Sequence, residues 1–318
     1  MPTPSQPPVR IGTRASKLAL TQSGIVQRAI AAALGAPADK ADEVAPLVHI
    51  TTTGDRVQDR RLLEIGGKAL FTKEIEEALL GGRIDCAVHS LKDMPAELPP
   101  GLVIGAIPKR EDPRDAFISH KAAALAALPQ GAVFGSSSLR RQAQALFQRP
   151  DLILVTFRGN VDTRLAKLDA GEADATMLAL AGLNRLGLAG LATAVLDPVE
   201  QPPAPGQGAL AIEVRVEDAG APWLAALTDR PSVIAVAAER GALTALEGSC
   251  KTAIGAHARL SGTSLSLIVE ALTPDGTRRF RRVGETDVGG ADGEGQARAL
   301  GMRLGEAVRA EGGSALFL

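Results

Sequence analysis

Tyrosine is absent from this chain, tryptophan occurs once, and aromatic residues make up 3% of its 318 positions, so the stacking platforms that single-stranded nucleic acid requires are missing. No surplus of one charge is present either. The 35 basic and 36 acidic residues leave a net charge of -1, which offers no polybasic footprint for nucleic acid or an anionic membrane. No run of 18 apolar residues occurs, and the opening "MPTPSQPPVR" has no apolar core of signal-peptide length. A cytoplasmic protein with a disordered tail over residues 1–8 and a small-molecule partner is therefore expected. The only two cysteines, Cys86 and Cys250, lie too far apart in sequence to suggest a disulfide framework, and four scattered histidines lack metal-ligand spacing, so no metal is expected.

What the chain does have is enough hydrophobic content, 45%, to fill the cores of two or three domains. "VRIGTR" reads as a strand, Ser16 as an N-cap, and the following segment as an amphipathic helix ended by Gly35. "LVHITT", a polar glycine-bearing loop and the helix "LFTKEIEEALLGG", with Phe71, Ile75, Ala78 and Leu79 on one face, form a second such unit. The strands "RIDCAVHS" and "GLVIGAI" follow, and the alternation predicts a mostly parallel sheet. The polar, proline-broken run "PKREDPRD" (108–115) reads as a linker, after which strand–loop–helix units restart at "GAVFG" and "DLILVTF". A second proline-rich passage, 197–208, precedes the strand "ALAIEVRV", so the chain is expected to leave the first domain and later return to it. The last third reads as a small α+β module: a helix, three strands with a turn at Asp275–Gly276, and a final helix over one face of the sheet.

Two nucleotide signatures are rejected on context. "GQGALA" leads into a strand rather than a helix, and "EIGGKAL" lacks the first glycine and the hydroxyl residue of a P-loop. A repeated device remains. Arg14 with Ser16, Ser136–Ser138 with Arg140 and Arg141, and Arg158-Gly159-Asn160 with Arg164 each straddle a strand-to-helix junction, where free N–H groups and arginine forks suit anions. Each can equally be a plain helix cap. Three of them over two domains point to a ligand with several carboxylates or phosphates. In "AVHSLKDMPAELP", Pro95 breaks the chain after Lys92-Asp93, placing both on a loop leaving a buried strand; an exposed ion pair and a functional acid both fit that pattern. Cys250, in a glycine-bearing loop, fits either a reachable thiol or a half-buried small residue, and His257 has no evident acid to orient it as the base of a cysteine hydrolase.

The stretches "TRASKLAL", "GGKALFTKEIE", "AVHSLKDMP", "REDPRDAF", "GSSSLRRQAQ", "RGNVDTRLAKL", "PAPGQGA" and "ERGALTALEGSC", in this order and spacing, make the chain resemble the porphobilinogen deaminase (hydroxymethylbilane synthase) family from Val9 to the final helix. The resemblance implies two α/β domains like the lobes of a type II periplasmic binding protein, residues 9–108 with 209–228 and residues 114–202, plus a small α+β domain, 231–318. It implies a monomeric enzyme that joins four porphobilinogen molecules with loss of ammonia, primed by a dipyrromethane cofactor held through a thioether to Cys250. By the same match Asp93 is the catalytic carboxylate, and Lys92, Arg140, Arg141, Ser138, Arg164 and Ser16 contact the cofactor. Arg14, Arg158, Arg185, Gln207 and Phe71 contact substrate. The chain departs from the family pattern after Cys250, where Ala253 stands in the place of a common proline, and its last 60 or so residues match more in pattern than in identity. A two-lobed anion-binding protein without catalysis is the alternative.

Overall fold

The computed structural model describes residues 7–53, 72–246 and 252–317. Most of the tail expected to be disordered, the polar loop of the second unit, Phe71 and Cys250 lie outside the described residues.

The first sheet contains β1 (Ile11–Thr13), β2 (Leu47–His49), β3 (Cys86–Ser90), β4 (Leu102–Ala106) and β10 (Leu210–Arg215) in the order β2-β1-β3-β10-β4. The second contains β5 (Asp115–Ser119), β6 (Val133–Gly135), β7 (Ile153–Val155), β8 (Ala175–Ala179) and β9 (Ala194–Val195) in the order β7-β6-β8-β5-β9. The two orders are one pattern used twice. In each sheet the fourth strand is antiparallel to its neighbours, β10 to β3 and β4, and β5 to β8 and β9. Each is also the first strand after the chain crosses between lobes. The expected pair of α/β lobes is therefore present, and the return of 210–215 to the first sheet is as anticipated. β5 differs from expectation. The run 108–115 reads as linker, yet Asp115 opens a strand whose five residues are all buried.

The helices begin where their caps stand. Ser16 accepts from the Ala19 N–H before helix Lys17–Ala33, Ser138 from Arg141 N–H before Leu139–Gln148, and Asn160 from Thr163 N–H before Val161–Asp169. Helix Lys73–Leu80 buries Ile75, Ala78 and Leu79 as the periodicity predicts. Cys86 is fully buried and burial pushes its thiol pKa up, the behaviour of a small core residue. "LAG" at 180–182, read with the preceding strand, belongs instead to helix Leu180–Leu186.

The third unit is an antiparallel sheet of β11 (Ala253–Ser261), β12 (Ser264–Leu272) and β13 (Arg279–Asp287) packed on helices Arg230–Ala245 and Gly293–Gly312. The two helices cross at glycines. A Cβ on Gly301 would run into the Ala238 carbonyl, and one on Gly241 into the Arg298 carbonyl. Gly301→Ala gains about 1 kcal/mol of helix propensity but forces backbone apart at a cost of roughly 1–3 kcal/mol. Overpacking outweighs propensity, so the urea midpoint of the variant should fall; an unchanged or raised midpoint contradicts this packing.

The two crossings between lobes run side by side, with Glu111 N–H donating to the Gly208 carbonyl at 3.2 Å. Gly206 and Gly208 both have positive φ, +74° and +87°, and a Cβ on the latter would strike the Glu111 carbonyl. Glu239 of the third unit clamps this crossing. Its fully buried carboxylate takes both Arg110 Nη atoms at 2.8 Å, the Gly206 N–H at 2.7 Å and the Ala258 N–H at 2.9 Å.

Candidate functional site

β3 ends at Ser90 and runs into a 3-10 turn, Leu91–Asp93. Leu91 and Met94 are buried with Ile107, Ala209, Ala211 and Val236, and the Leu91 N–H donates to the Ala209 carbonyl. These anchors on either side of Lys92 and Asp93 fix the turn and leave Lys92 half-buried and Asp93 exposed. Pro95 follows in the position that ends it, as the sequence suggests.

Lys92 points at the second lobe. Its Nζ donates to Gln207 Oε1 at 3.2 Å, and Gln207, fully buried, donates from Nε2 to Asp115 Oδ1 at 2.8 Å and to the Pro113 carbonyl at 2.7 Å. Burial lowers the Lys92 pKa to about 8, with Arg141 and Arg140 adding to the shift and Asp93 and Asp115 opposing it. The Asp93 charge also reaches Arg164 of the second lobe. There burial, Arg141 and Arg158 together outweigh Asp93 and hold the guanidinium down to about 10.

Asp115 is the centre of the arginine pair. Its carboxylate, 2% exposed as a residue, accepts from Arg140 Nη1 at 2.7 Å, Arg141 Nη2 at 2.8 Å and Arg141 Nε at 3.2 Å. Burial alone would raise its pKa, but the two guanidiniums hold it far below the usual carboxylate range. Arg140 Nη1 also reaches Gln144 Oε1 at 2.8 Å and the Pro202 carbonyl at 3.2 Å, and Gln144 continues to Glu270 of the third unit at 3.0 Å. Sequence reasoning missed Asp115, Glu239 and Glu270. The first was hidden in a polar, proline-broken run, and the others are single acids in apolar helix and strand patterns, where only tertiary contacts reveal a partner.

The remaining expected residues fall as follows. Arg158 carries a buried Nη1 with no hydrogen-bond partner, as does Arg140 at Nε, so both keep unused donor capacity. Arg164 donates from Nε to the Gly159 carbonyl at 2.9 Å. Arg185 donates to the Gly208 carbonyl at 2.7 Å, and burial lowers its pKa against the pull of Glu111. Ser16 and Ser138 act as helix caps, so the capping alternative is realised at both, and Arg14 lies at the end of β1 beside the first of those caps. "GQGALA" does lead into a strand, β10. His257 is half-buried on β11, and its pKa is lowered chiefly by burial, with Glu239 opposing. Among the described residues no three His, Cys, Asp or Glu side chains group as a metal site, and no helix is long and apolar enough to cross a membrane.

The site thus brings an exposed acid, Asp93, to the junction of two lobes, where Arg140 Nε and Arg158 Nη1 carry unspent hydrogen-bond donors. Two family models match the chain: "Porphobilinogen deaminase, dipyromethane cofactor binding domain" over residues 9–221 and "Porphobilinogen deaminase, C-terminal domain" over residues 233–310. A porphobilinogen deaminase of Caulobacter sp. (strain K31) is 67% identical over 315 residues, covering 99% of both chains. That of Phenylobacterium zucineum (strain HLK1) is 66% identical over 319 residues, covering 99% of this chain and all of that one. Among solved structures, an ABC-transporter periplasmic substrate-binding protein from Coxiella burnetii aligns with TM-score 0.42 and 19% identity over 73% of this chain and 96% of its own. A YaeC-family lipoprotein from Enterococcus faecalis V583 aligns with TM-score 0.40 and 13% identity over 72% and 94%.

Proposed function

The chain belongs to the porphobilinogen deaminase family, and from that premise we propose that it is a hydroxymethylbilane synthase. As such it is a transferase that joins four porphobilinogen molecules head to tail, releases one ammonia at each addition, and yields linear hydroxymethylbilane for tetrapyrrole biosynthesis. It works in the cytoplasm as a monomer, since one chain supplies both lobes and the third unit. Residues 9–108 with 209–228 form its first domain, 114–202 its second and 231–318 its third.

The observation that carries the reading is the setting of Asp93, an exposed acid whose charge acts on Lys92 of its own turn and on Arg164 of the opposite lobe. Loss of ammonia from porphobilinogen breaks the carbon–nitrogen bond with the electron pair leaving on nitrogen, and the ring system left behind is cationic. A carboxylate beside the pyrrole stabilises that charge and exchanges ring N–H protons. The acetate and propionate groups of porphobilinogen need cations. Arg14, Arg158, Arg185, Gln207 and Phe71 are assigned to substrate, while Lys92, Arg140, Arg141, Arg164, Ser138 and Ser16 are assigned to the dipyrromethane cofactor bound through a thioether to Cys250.

The cofactor carries the same carboxylate side chains, and the donors fit such a group: Arg140 Nε and Arg158 Nη1 are buried without partners. When bound, it supplies the pyrrole carbon at which growth begins. The chain's own residues orient carboxylates, hold the site's charge balance and place Asp93 at the reacting ring. A protein that only captured anions would leave Asp93 without purpose, and that alternative is not favoured.

Purified protein given porphobilinogen should consume it with one ammonia released per molecule and a linear tetrapyrrole as product. Saturable binding without consumption by cofactor-loaded protein would establish capture instead of catalysis.

A further inference from the structure

We infer that Asp115 is a positioning residue of this site, holding Arg141 and Gln207 in place and, through the polarity of the Gln207 amide, the Lys92 ammonium beside Asp93. The inference rests on the proposed role of the Lys92–Asp93 turn and adds a residue with no contact to that turn's backbone. Asp115 lies at the start of β5, where the chain has just entered the second lobe, and Lys92 lies at the end of β3 in the first. Gln207, on the returning crossing, sits between them.

Donors and acceptors decide the arrangement. An ionised carboxylate only accepts, so Asp115 obliges Gln207 to present Nε2 to it, a bond of 2.8 Å. The amide oxygen is then turned to the other side, where it meets Lys92 Nζ at 3.2 Å and Arg141 Nη2 at 3.5 Å, both of which only donate. With the amide reversed, an NH2 group would face two cations and the carbonyl would face a carboxylate. Asp115, together with the Pro113 carbonyl at 2.7 Å on the same Nε2, therefore sets which way Gln207 points, and Gln207 sets where Lys92 rests. The same carboxylate takes the inner face of both arginines, leaving Arg140 Nε without a partner and Arg141 Nη1 on the Met177 carbonyl.

Charge acts in the same direction. The groups acting on Lys92 are Asp93 on its own turn, Asp115 on β5, and Arg140 and Arg141 on helix Leu139–Gln148. Asp115→Asn removes an acid that opposes the pull of both guanidiniums on Lys92, and that disfavours the ammonium. The Asn side chain can also donate, so the Pro113 carbonyl at 2.7 Å is left to hold Gln207 Nε2 without the carboxylate's help. Asp115→Glu keeps the charge and the acceptor-only character.

The test reads Lys92 itself. Competitive acetylation of the purified protein with acetic anhydride across pH, quantified by mass at the peptide containing Lys92, gives the midpoint of its titration without any need for turnover. Wild type is expected near about 8. Asp115→Asn should move the midpoint down by about one pH unit, whereas Asp115→Glu should keep it within a few tenths of wild type. Gln207→Met, which spares the Asp115–arginine pairs, should move it down by less, and it carries the test if Asp115→Asn does not fold. In cofactor-loaded protein the alkaline limb of porphobilinogen consumption should follow the same order. A midpoint unmoved in Asp115→Asn, or unmoved in Gln207→Met where Asn is unfolded, overturns the inference. A midpoint that moves while wild type fails to consume porphobilinogen leaves Asp115 in its role and removes the enzymatic reading instead.

Discussion

Asp93→Asn is expected to fold and melt close to wild type while turnover of porphobilinogen falls roughly a thousandfold or more, the combined scale of lost acid–base and electrostatic catalysis. Stability should hold because Asp93 is exposed and its turn is anchored by the buried Leu91 and Met94. The amide has nearly the same size, but it neither balances a cation forming on the pyrrole nor takes up a ring proton. Asp93→Glu should retain part of the activity, since the charge survives one methylene away. Asp93 also raises the pKa of Lys92 and of Arg164, so the Asn variant should lose Lys92's charge at a lower pH than the value of about 8 in wild type. The measurement is porphobilinogen consumption by variants first shown by mass to carry the cofactor. Turnover of the Asn variant within tenfold of wild type would show Asp93 to be an ordinary loop acid paired with Lys92.

The contrast between Asp93 and Asp115 shows what a sequence discloses. Asp93 stands between a buried strand and a proline, two local signals that place it on a turn with its side chain outward. Ser16, Ser138 and Asn160 are legible for the same reason, because a cap is decided by the next three residues. Asp115 has no such signal. Its neighbours "REDPRD" look like a solvated linker, and the carboxylate is buried only because Arg140 and Arg141, 25 and 26 residues on, fold back onto it. β5 is hidden with it. A strand of five residues buried on both faces shows no alternation, and this one begins with a carboxylate, Asp115. The return of β10 was legible because two proline-rich passages bracket the second lobe. The glycine crossing of the last two helices was not, since Gly301 and Gly241 lie in segments whose periodicity is read from their apolar residues, and only the approach of the Ala238 and Arg298 carbonyls gives the glycines a purpose.

Cys250→Ser should abolish the covalent cofactor and nearly all turnover, because a thioether requires sulfur and a hydroxyl does not replace it as a nucleophile near neutral pH. Glu239 and Glu270 tie the third unit to the crossing and to the arginine helix. Cys86 offers no rival site. It is fully buried in β3, and burial pushes its thiol pKa up, which suppresses the thiolate. Under denaturing conditions wild type should be heavier than its polypeptide by two pyrrole units, with the increment on the peptide containing Cys250, and Cys250→Ser should have the mass of the bare chain. Serine and cysteine differ by one atom on a side chain, so thermal stability of the cofactor-free forms of both proteins should agree, which separates a chemical loss from a folding one. Adduct mass on the Cys86 peptide, or porphobilinogen turnover by Cys250→Ser within tenfold of wild type, would overturn the assignment.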